Sequence, residues 1–335
     1  MKAVVLVGGL GTRLRPLTNE TPKQLLPIVD RPMLEWVVAG LASHGVDEVI
    51  LSVGFRPDAF RLAYPGGCCA GVPLRYAIEP EPLDTAGAIR FAARETGIDE
   101  RFLVVNGDVL TDLDVRALIA FHDGRGAEAT IALHRVDDPS RYGVVPTDPE
   151  GRVVAFVEKP PPGEAPTDLI NAGTYVLEPS VLDRIDDGRR VSIERETFPA
   201  MVADRTLFAC DDGGVYWLDT GTPSAYVQAQ VDIVEGRRGP VSAVAVDPSA
   251  RVDGATVRSS VVRDGASIAE TAVLERAIVL SGATVGAGAR VVDSVVGPAA
   301  VIGAGAVLEA GTIVGAGEEI APGTHLRDAR VPEVG

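Results

Sequence analysis

From Val262 onward, apolar residues recur at every sixth position: Val262, Ile268, Leu274 and Leu280, then Ile302, Leu308, Val314, Ile320 and Leu326. Small and turn-forming residues fill the intervals, as in Gly303-Ala304-Gly305-Ala306 and Pro322-Gly323-Thr324. A period of six matches neither the 3.6 of a helix nor the 2 of a half-buried strand. It matches a hexapeptide coil, in which three short strands make one turn and each sends one apolar residue inward. A tail merely rich in Ala and Gly would not hold its apolar residues in phase. The phase slips by one residue near Val285 and Val296, so spacing alone leaves the coil boundaries open. The sequence thus predicts a parallel β-helix over residues 241–330.

The preceding part has a different pattern. Ala3 to Val7 is a continuous apolar run, as in a strand buried on both faces, and a helical pattern follows from Met33 to Ser43. Further strands are expected at Glu48–Val53, Phe102–Val105 and Thr130–Arg135. Strands alternating with helices predict a Rossmann-like, mostly parallel α/β sheet over residues 1–238, with ligands held outside the carboxyl ends of its strands. No run of about 18 apolar residues is present, which argues against a membrane partner. The short apolar start reads as a first strand, since a signal peptide needs a longer apolar stretch and a cleavage site. A net charge of −16 argues against nucleic acid, whose binding is driven by Lys and Arg. Cys68, Cys69 and Cys210 lack zinc or disulfide spacing, and a reducing cytoplasm is the expected setting.

Chemistry is therefore sought in loops after strands. The first reads VVLVGGLGTRLRPLT. Its glycines allow backbone N–H groups to approach phosphate closely. Arg13, Arg15 and Lys23 follow, three cations beside one anion-binding loop, which suits a triphosphate. The loop is neither a P-loop nor Gly-x-Gly-x-x-Gly. Arg15 reads equally well as a solvated surface arginine. Val104-Val105-Asn106-Gly107-Asp108 and Trp217-Leu218-Asp219-Thr220-Gly221 each end an apolar run in an acid. Either aspartate alone reads as a turn residue. As a pair beside a phosphate loop they suit Mg²⁺, which takes one or two carboxylates plus phosphate oxygens and water. Phe156-Val157-Glu158-Lys159-Pro160 places an acid and a base side by side. Neighbours on an extended strand face opposite ways, and the proline is expected to let both reach one ligand. Ile170-Asn171-Ala172-Gly173-Thr174 offers an amide and a hydroxyl for sugar hydroxyls.

Taken in order, VGGLGTRLRPLT, PKQLLPI, EPEPLDTAGAI, VVNGDVL, RYGVV, FVEKP, INAGTYVL, SIERETFPAM and YWLDTGTP resemble the nucleotidyltransferases that make nucleotide sugars, and most closely mannose-1-phosphate guanylyltransferases. The resemblance implies that the trailing β-helix is left-handed and serves homo-oligomer contacts. It implies a nucleotide site of Leu6, Gly8, Gly9, Gly11, Thr12, Arg13, Lys23, Glu79, Asp84 and Thr85. Arg13 and Lys23 would hold the triphosphate, and Asp108 and Asp219 would bind Mg²⁺; these four form the catalytic set. Lys159 would grip the sugar phosphate, Glu158 and Asn171 would bind sugar hydroxyls, and Gly143 and Gly173 would allow close backbone approach to the sugar. Asp84 departs from the family pattern, which has glycine there; it would bond ribose hydroxyls or point to solvent.

Glu79 stands where uridylyl- and thymidylyltransferases of the family carry glutamine. A carboxylate offers acceptors only, and guanine presents two adjacent donors, N1–H and N2–H. GTP is thus the expected nucleotide, unless Glu79 lies in solvent. Mannose 1-phosphate is expected over glucose 1-phosphate by resemblance alone. The alternatives are a glucose-1-phosphate thymidylyl- or uridylyltransferase, a non-catalytic nucleotide-sugar-binding regulatory paralogue, and acyl transfer by the hexapeptide region through His325.

Overall fold

The computed structural model describes residues 1–239 and 242–333. The junction expected near residue 240 falls on residues outside that set. The described chain packs as two compact units, one of Met1–Gly9 with Leu34–Trp217 and the other of Leu10–Met33 with Leu218–Gly335.

The first unit is built on a ten-stranded mixed sheet. Its first strand, Lys2–Leu6, runs parallel to Glu48–Val53 on one side and to Phe102–Asn106 on the other. The strand order therefore reverses beside Lys2–Leu6, which opens a crevice at its carboxyl end, where Gly8 lies. Val72–Ile78 extends the parallel part. Beyond Phe102–Asn106 come Leu169–Leu177, antiparallel to it, then Ala129–Arg135, and then Leu207–Asp211, parallel to Ala129–Arg135. Val4, Ile50 and Val104 pack in one core with Ala86, Ile89 and Ala93 of the helix Asp84–Thr96. With the sheet covered, Ala3, Val4 and Val5 are all buried. This is why the strand reads as an unbroken apolar run. The expected strands and the helix Met33–Ser43 are found within a residue of their expected limits.

In the second unit three five-stranded parallel sheets stack, with strands repeating at Arg251, Ser267, Thr284, Val301 and Glu319 in one of them. This is the arrangement of the parallel β-helix that the sixfold period predicts, left-handed as the family resemblance implies. Its core contains Val262, Ile268, Leu274, Ile302, Leu308, Val314 and Ile320, as expected. Leu280 is a correction: the inward residue after Leu274 is Val279, and Leu280 follows it outside that core. The cause is a shortened corner. Arg276 and Asp293 each turn in the left-handed region, at φ 49° and 45°, and the step to the next inward residue is five, giving Val279 and Val296. At the equivalent corner of the next coil, Ala310 and Gly311 both take positive φ, and the step from Leu308 to Val314 is six. His325 is 62% exposed and pairs with Glu309, a surface position.

Candidate active site

In the first unit the crevice is lined from several loops. Gly8 follows the first strand; a side chain on it would come within 3.4 Å of both Glu79 Oε1 and the backbone N of Gly54. Glu79 is half-buried rather than in solvent. Ser52 Oγ donates to its Oε1 at 3.1 Å, and the Leu83 N–H donates to its Oε2 at 3.1 Å. Each oxygen thus has one protein donor and one lone pair left over, so the carboxylate is held as a fixed double acceptor.

Leu83 leads into the helix Asp84–Thr96. Asp84 has φ 61°, the left-handed region in which glycine is free of strain and aspartate is the next tolerated type. That conformation explains how an aspartate stands at a glycine position. Its Oδ1 accepts from the Thr85 N–H at 2.9 Å. The Thr85 hydroxyl accepts from the Ile193 N–H and donates to Glu194 at 2.7 Å.

Glu194, which sequence reading does not single out, is thus joined to Thr85 of the expected nucleotide site. Ser192 Oγ also donates to it, at 2.7 Å. Burial pushes the Tyr175 hydroxyl well above its ordinary pKa, reinforced by the charge of Glu194; the Asn171 amide opposes this and Glu158 adds to it. Glu194 sits in a π-helical turn, Ile193–Thr197, a rare geometry enriched at functional sites. That turn has no local sequence signature.

Asn171 commits both ends of its amide to the bulge in its own strand. Its Oδ1 accepts from the Gly173 N–H at 2.9 Å, and its Nδ2 donates to Tyr175 Oη at 2.8 Å. Gly173 has φ 76°, and a Cβ on it would fall 2.6 Å from Asn106 Nδ2. A Cβ on Gly143 would fall 2.6 Å from the Phe156 ring. Protein packing alone therefore requires glycine at both positions. Glu158 and Lys159 do reach one side, with Lys159 Nζ 2.8 Å from Glu158 Oε1. The cause is Lys159 itself, whose φ of 50° breaks the strand alternation one residue before the proline. At 60% exposure its ammonium remains open to a ligand. Asp108 lies in the turn after Phe102–Asn106, whose Gly107 N–H donates to Leu6 O at 3.0 Å.

The second unit carries the remaining cations and acid. Gly11 takes φ 61° and leads into the turn Thr12–Leu14. Thr18 Oγ1 donates to Gly11 O at 2.8 Å, and a Cβ on Gly11 would come 3.2 Å from Lys23 Cβ. Lys23 is therefore folded back onto the glycine loop. Asp219 Oδ1 accepts from the Gly221 N–H at 2.8 Å. A Cβ on Gly221 would lie 2.7 Å from Arg13 Nη2 and 2.9 Å from Asp219 Oδ1. Arg13 and Asp219, some two hundred residues apart in sequence, thus face the same small space. Arg15 is half-buried, and its Nε is shut from solvent with no hydrogen-bond partner among the described residues.

A family model described as "Nucleotidyl transferase" matches residues 2–236, and one described as "GMPPB C-terminal domain" matches residues 241–333. The mannose-1-phosphate guanylyltransferase of Mycobacterium tuberculosis is 42% identical over 274 residues, spanning 81% of this chain and 72% of that protein. The mannose-1-phosphate guanyltransferase of Hypocrea jecorina is 42% identical over 233 residues, spanning 68% of this chain but 62% of that protein. The crystal structure of HddC from Yersinia pseudotuberculosis complexed with GMP-PN is similar with a TM-score of 0.60 at 30% identity, covering 69% of this chain and 99% of that one. Matched over most of its length by these relatives and by the family model, the chain belongs to the nucleotidyl transferase family.

Proposed function

We propose that this protein transfers a guanylyl group from GTP to mannose 1-phosphate, giving GDP-mannose and pyrophosphate. The similarity to mannose-1-phosphate guanylyltransferases carries the reading, and the fixed double acceptor at Glu79 supports the choice of base. A phosphate oxygen of the sugar phosphate attacks the α-phosphorus. The bond from that phosphorus to the bridging oxygen of the β-phosphate breaks, and pyrophosphate leaves with that electron pair. The nucleophile is already anionic, so catalysis consists of in-line positioning and charge neutralisation, with no covalent enzyme intermediate.

Arg13 and Lys23 neutralise the triphosphate, with the backbone of Leu6, Gly8, Gly9, Gly11 and Thr12 around it. Glu79 reads guanine, while Asp84 and Thr85 stand on the ribose side. Lys159 grips the sugar phosphate; Glu158, Asn171, Gly143 and Gly173 form the sugar side. Asp108 and Asp219 are the proposed Mg²⁺ ligands. The donor type fits that ion: both are carboxylates, hard oxygen donors of the kind Mg²⁺ takes beside phosphate oxygens and water. Held by Asp108 and Asp219, Mg²⁺ would supply positive charge that lowers the repulsion between two anionic substrates.

The functional division is catalytic for 1–238 and β-helical for 241–330, the latter joining copies into a homo-oligomer. Three free thiols suit a cytoplasmic, reducing setting, and no helix among the described residues is long and apolar enough to cross a membrane. The test is pyrophosphate release from five nucleoside triphosphates, each crossed with mannose and glucose 1-phosphate in Mg²⁺. GTP with mannose 1-phosphate should give the highest kcat/KM. Release from no pair would end the reading.

A further inference from the structure

His134 on the strand Ala129–Arg135 stands in register with Ile170, immediately before Asn171. Its Nδ1 lies 2.7 Å from Asp212 Oδ2. The Asp212 side chain is 1% exposed and that of His134 14%. Asp212 is fixed in turn: its N–H donates to Leu133 O at 2.9 Å, and its Oδ1 accepts from the Gly214 N–H at 2.9 Å. The His134 ring stacks on the indole of Trp217, with centroids 5.2 Å apart and planes 23° apart. Tyr142 meets the same indole edge-on at 5.6 Å. The indole Nε1–H donates to Ala172 O at 2.9 Å. Ala172 lies between Asn171 and Gly173, inside the bulge that presents the sugar side of the site.

A buried carboxyl group is costly unless it is hydrogen-bonded, and one set against an imidazole fixes the ring's orientation. Here the oriented ring sets the plane of Trp217, and Trp217 holds the carbonyl at the centre of the Asn171–Gly173 turn. We propose that Asp212 and His134 are positioning residues for the sugar-phosphate half of the site, acting through Trp217 on the Asn171–Gly173 turn. This rests on the reading of that turn as the sugar side.

The experiment measures kcat, KM for GTP and KM for mannose 1-phosphate in the full chain and in His134→Ala, His134→Phe, His134→Gln and Asp212→Asn. His134→Ala should raise KM for mannose 1-phosphate roughly tenfold, with KM for GTP within about twofold. His134→Phe keeps a stacking face and should recover part of that loss; should His134→Ala fail to fold, His134→Phe and His134→Gln carry the comparison. A second readout needs no turnover. In a Trp36→Phe background the single remaining tryptophan, Trp217, reports GDP-mannose binding by its emission, and His134→Ala should move the titration midpoint by a similar factor. Folded variants with both KM values unchanged, or with both raised equally, would overturn the proposal while the guanylyltransferase reading stands. An unaltered protein that turns over no substrate pair would remove that reading and the proposal with it.

Discussion

Glu79→Gln separates base recognition from folding, because the fold can accept either side chain. A glutamine Oε1 accepts from the Leu83 N–H as the carboxylate does now. Its Nε2 can donate to Ser52 Oγ, whose own hydrogen can turn to Ala88 O, 3.4 Å away. No buried polar group is left unpaired, so stability should stay within about 0.5 kcal/mol and Tm within about 2 °C. Base recognition has no such escape. The outward edge changes from two acceptors to one acceptor and one donor, and guanine offers two donors. Losing one hydrogen bond to a charged group is worth about 1.5–3 kcal/mol. The kcat/KM for GTP should therefore fall roughly 10- to 200-fold. UTP and dTTP, whose N3–H is flanked by carbonyls, should fall less or gain. Pyrophosphate release with each nucleotide at saturating mannose 1-phosphate measures the ratio. A folded variant with an unchanged GTP to UTP preference would refute the assignment of Glu79 to the base.

Asp219→Asn retains an acceptor for the Gly221 N–H but loses the charge; kcat should drop about 10²- to 10³-fold with Tm unchanged, as should Asp108→Asn, and activity above a tenth in either would break the two-carboxylate assignment. Gly221→Ala pushes a methyl into the space between Arg13 Nη2 and Asp219 Oδ1; both can swing away, so melting should barely move while kcat falls about 100-fold, an effect steady-state kinetics would detect. Asp84→Gly removes a side chain from a left-handed conformation, so denaturant unfolding should shift by about 1 kcal/mol or less, while loss of the ribose-side carboxylate should raise KM for GTP in steady-state kinetics. Burial, opposed by Glu178, holds the His122 imidazole below its ordinary 6.5. The unfolded chain then binds that proton first, and stability should fall as pH drops below about 6.5; urea midpoints at about pH 7.5 and 5.5 should differ less in His122→Gln.

How much was legible without coordinates follows from what each signal depends on. The sixfold phase, the unbroken Ala3–Val7 run and the glycine loop with its cations are local properties of the chain. Local backbone geometry is enough to read a β-helix and a buried strand from them, and to nominate the glycine loop as an anion site. The family motifs add the order of the site residues along the chain. Spacing could not say that Val279 rather than Leu280 turns inward, because one left-handed residue at Arg276 decides it. Nor could it say why Glu158 and Lys159 share a side, which depends on a single φ.

The larger gap concerns partners far apart in sequence. Ser52 fixes one oxygen of Glu79 from 27 residues away, Arg13 and Asp219 meet around Gly221, and Asp212 orients His134 from 78 residues away. By itself the sequence determined the two architectures and which residue types the chemistry requires. The tertiary structure decided which of them are held still and by what, because a hydrogen bond between distant strands leaves no trace in local spacing.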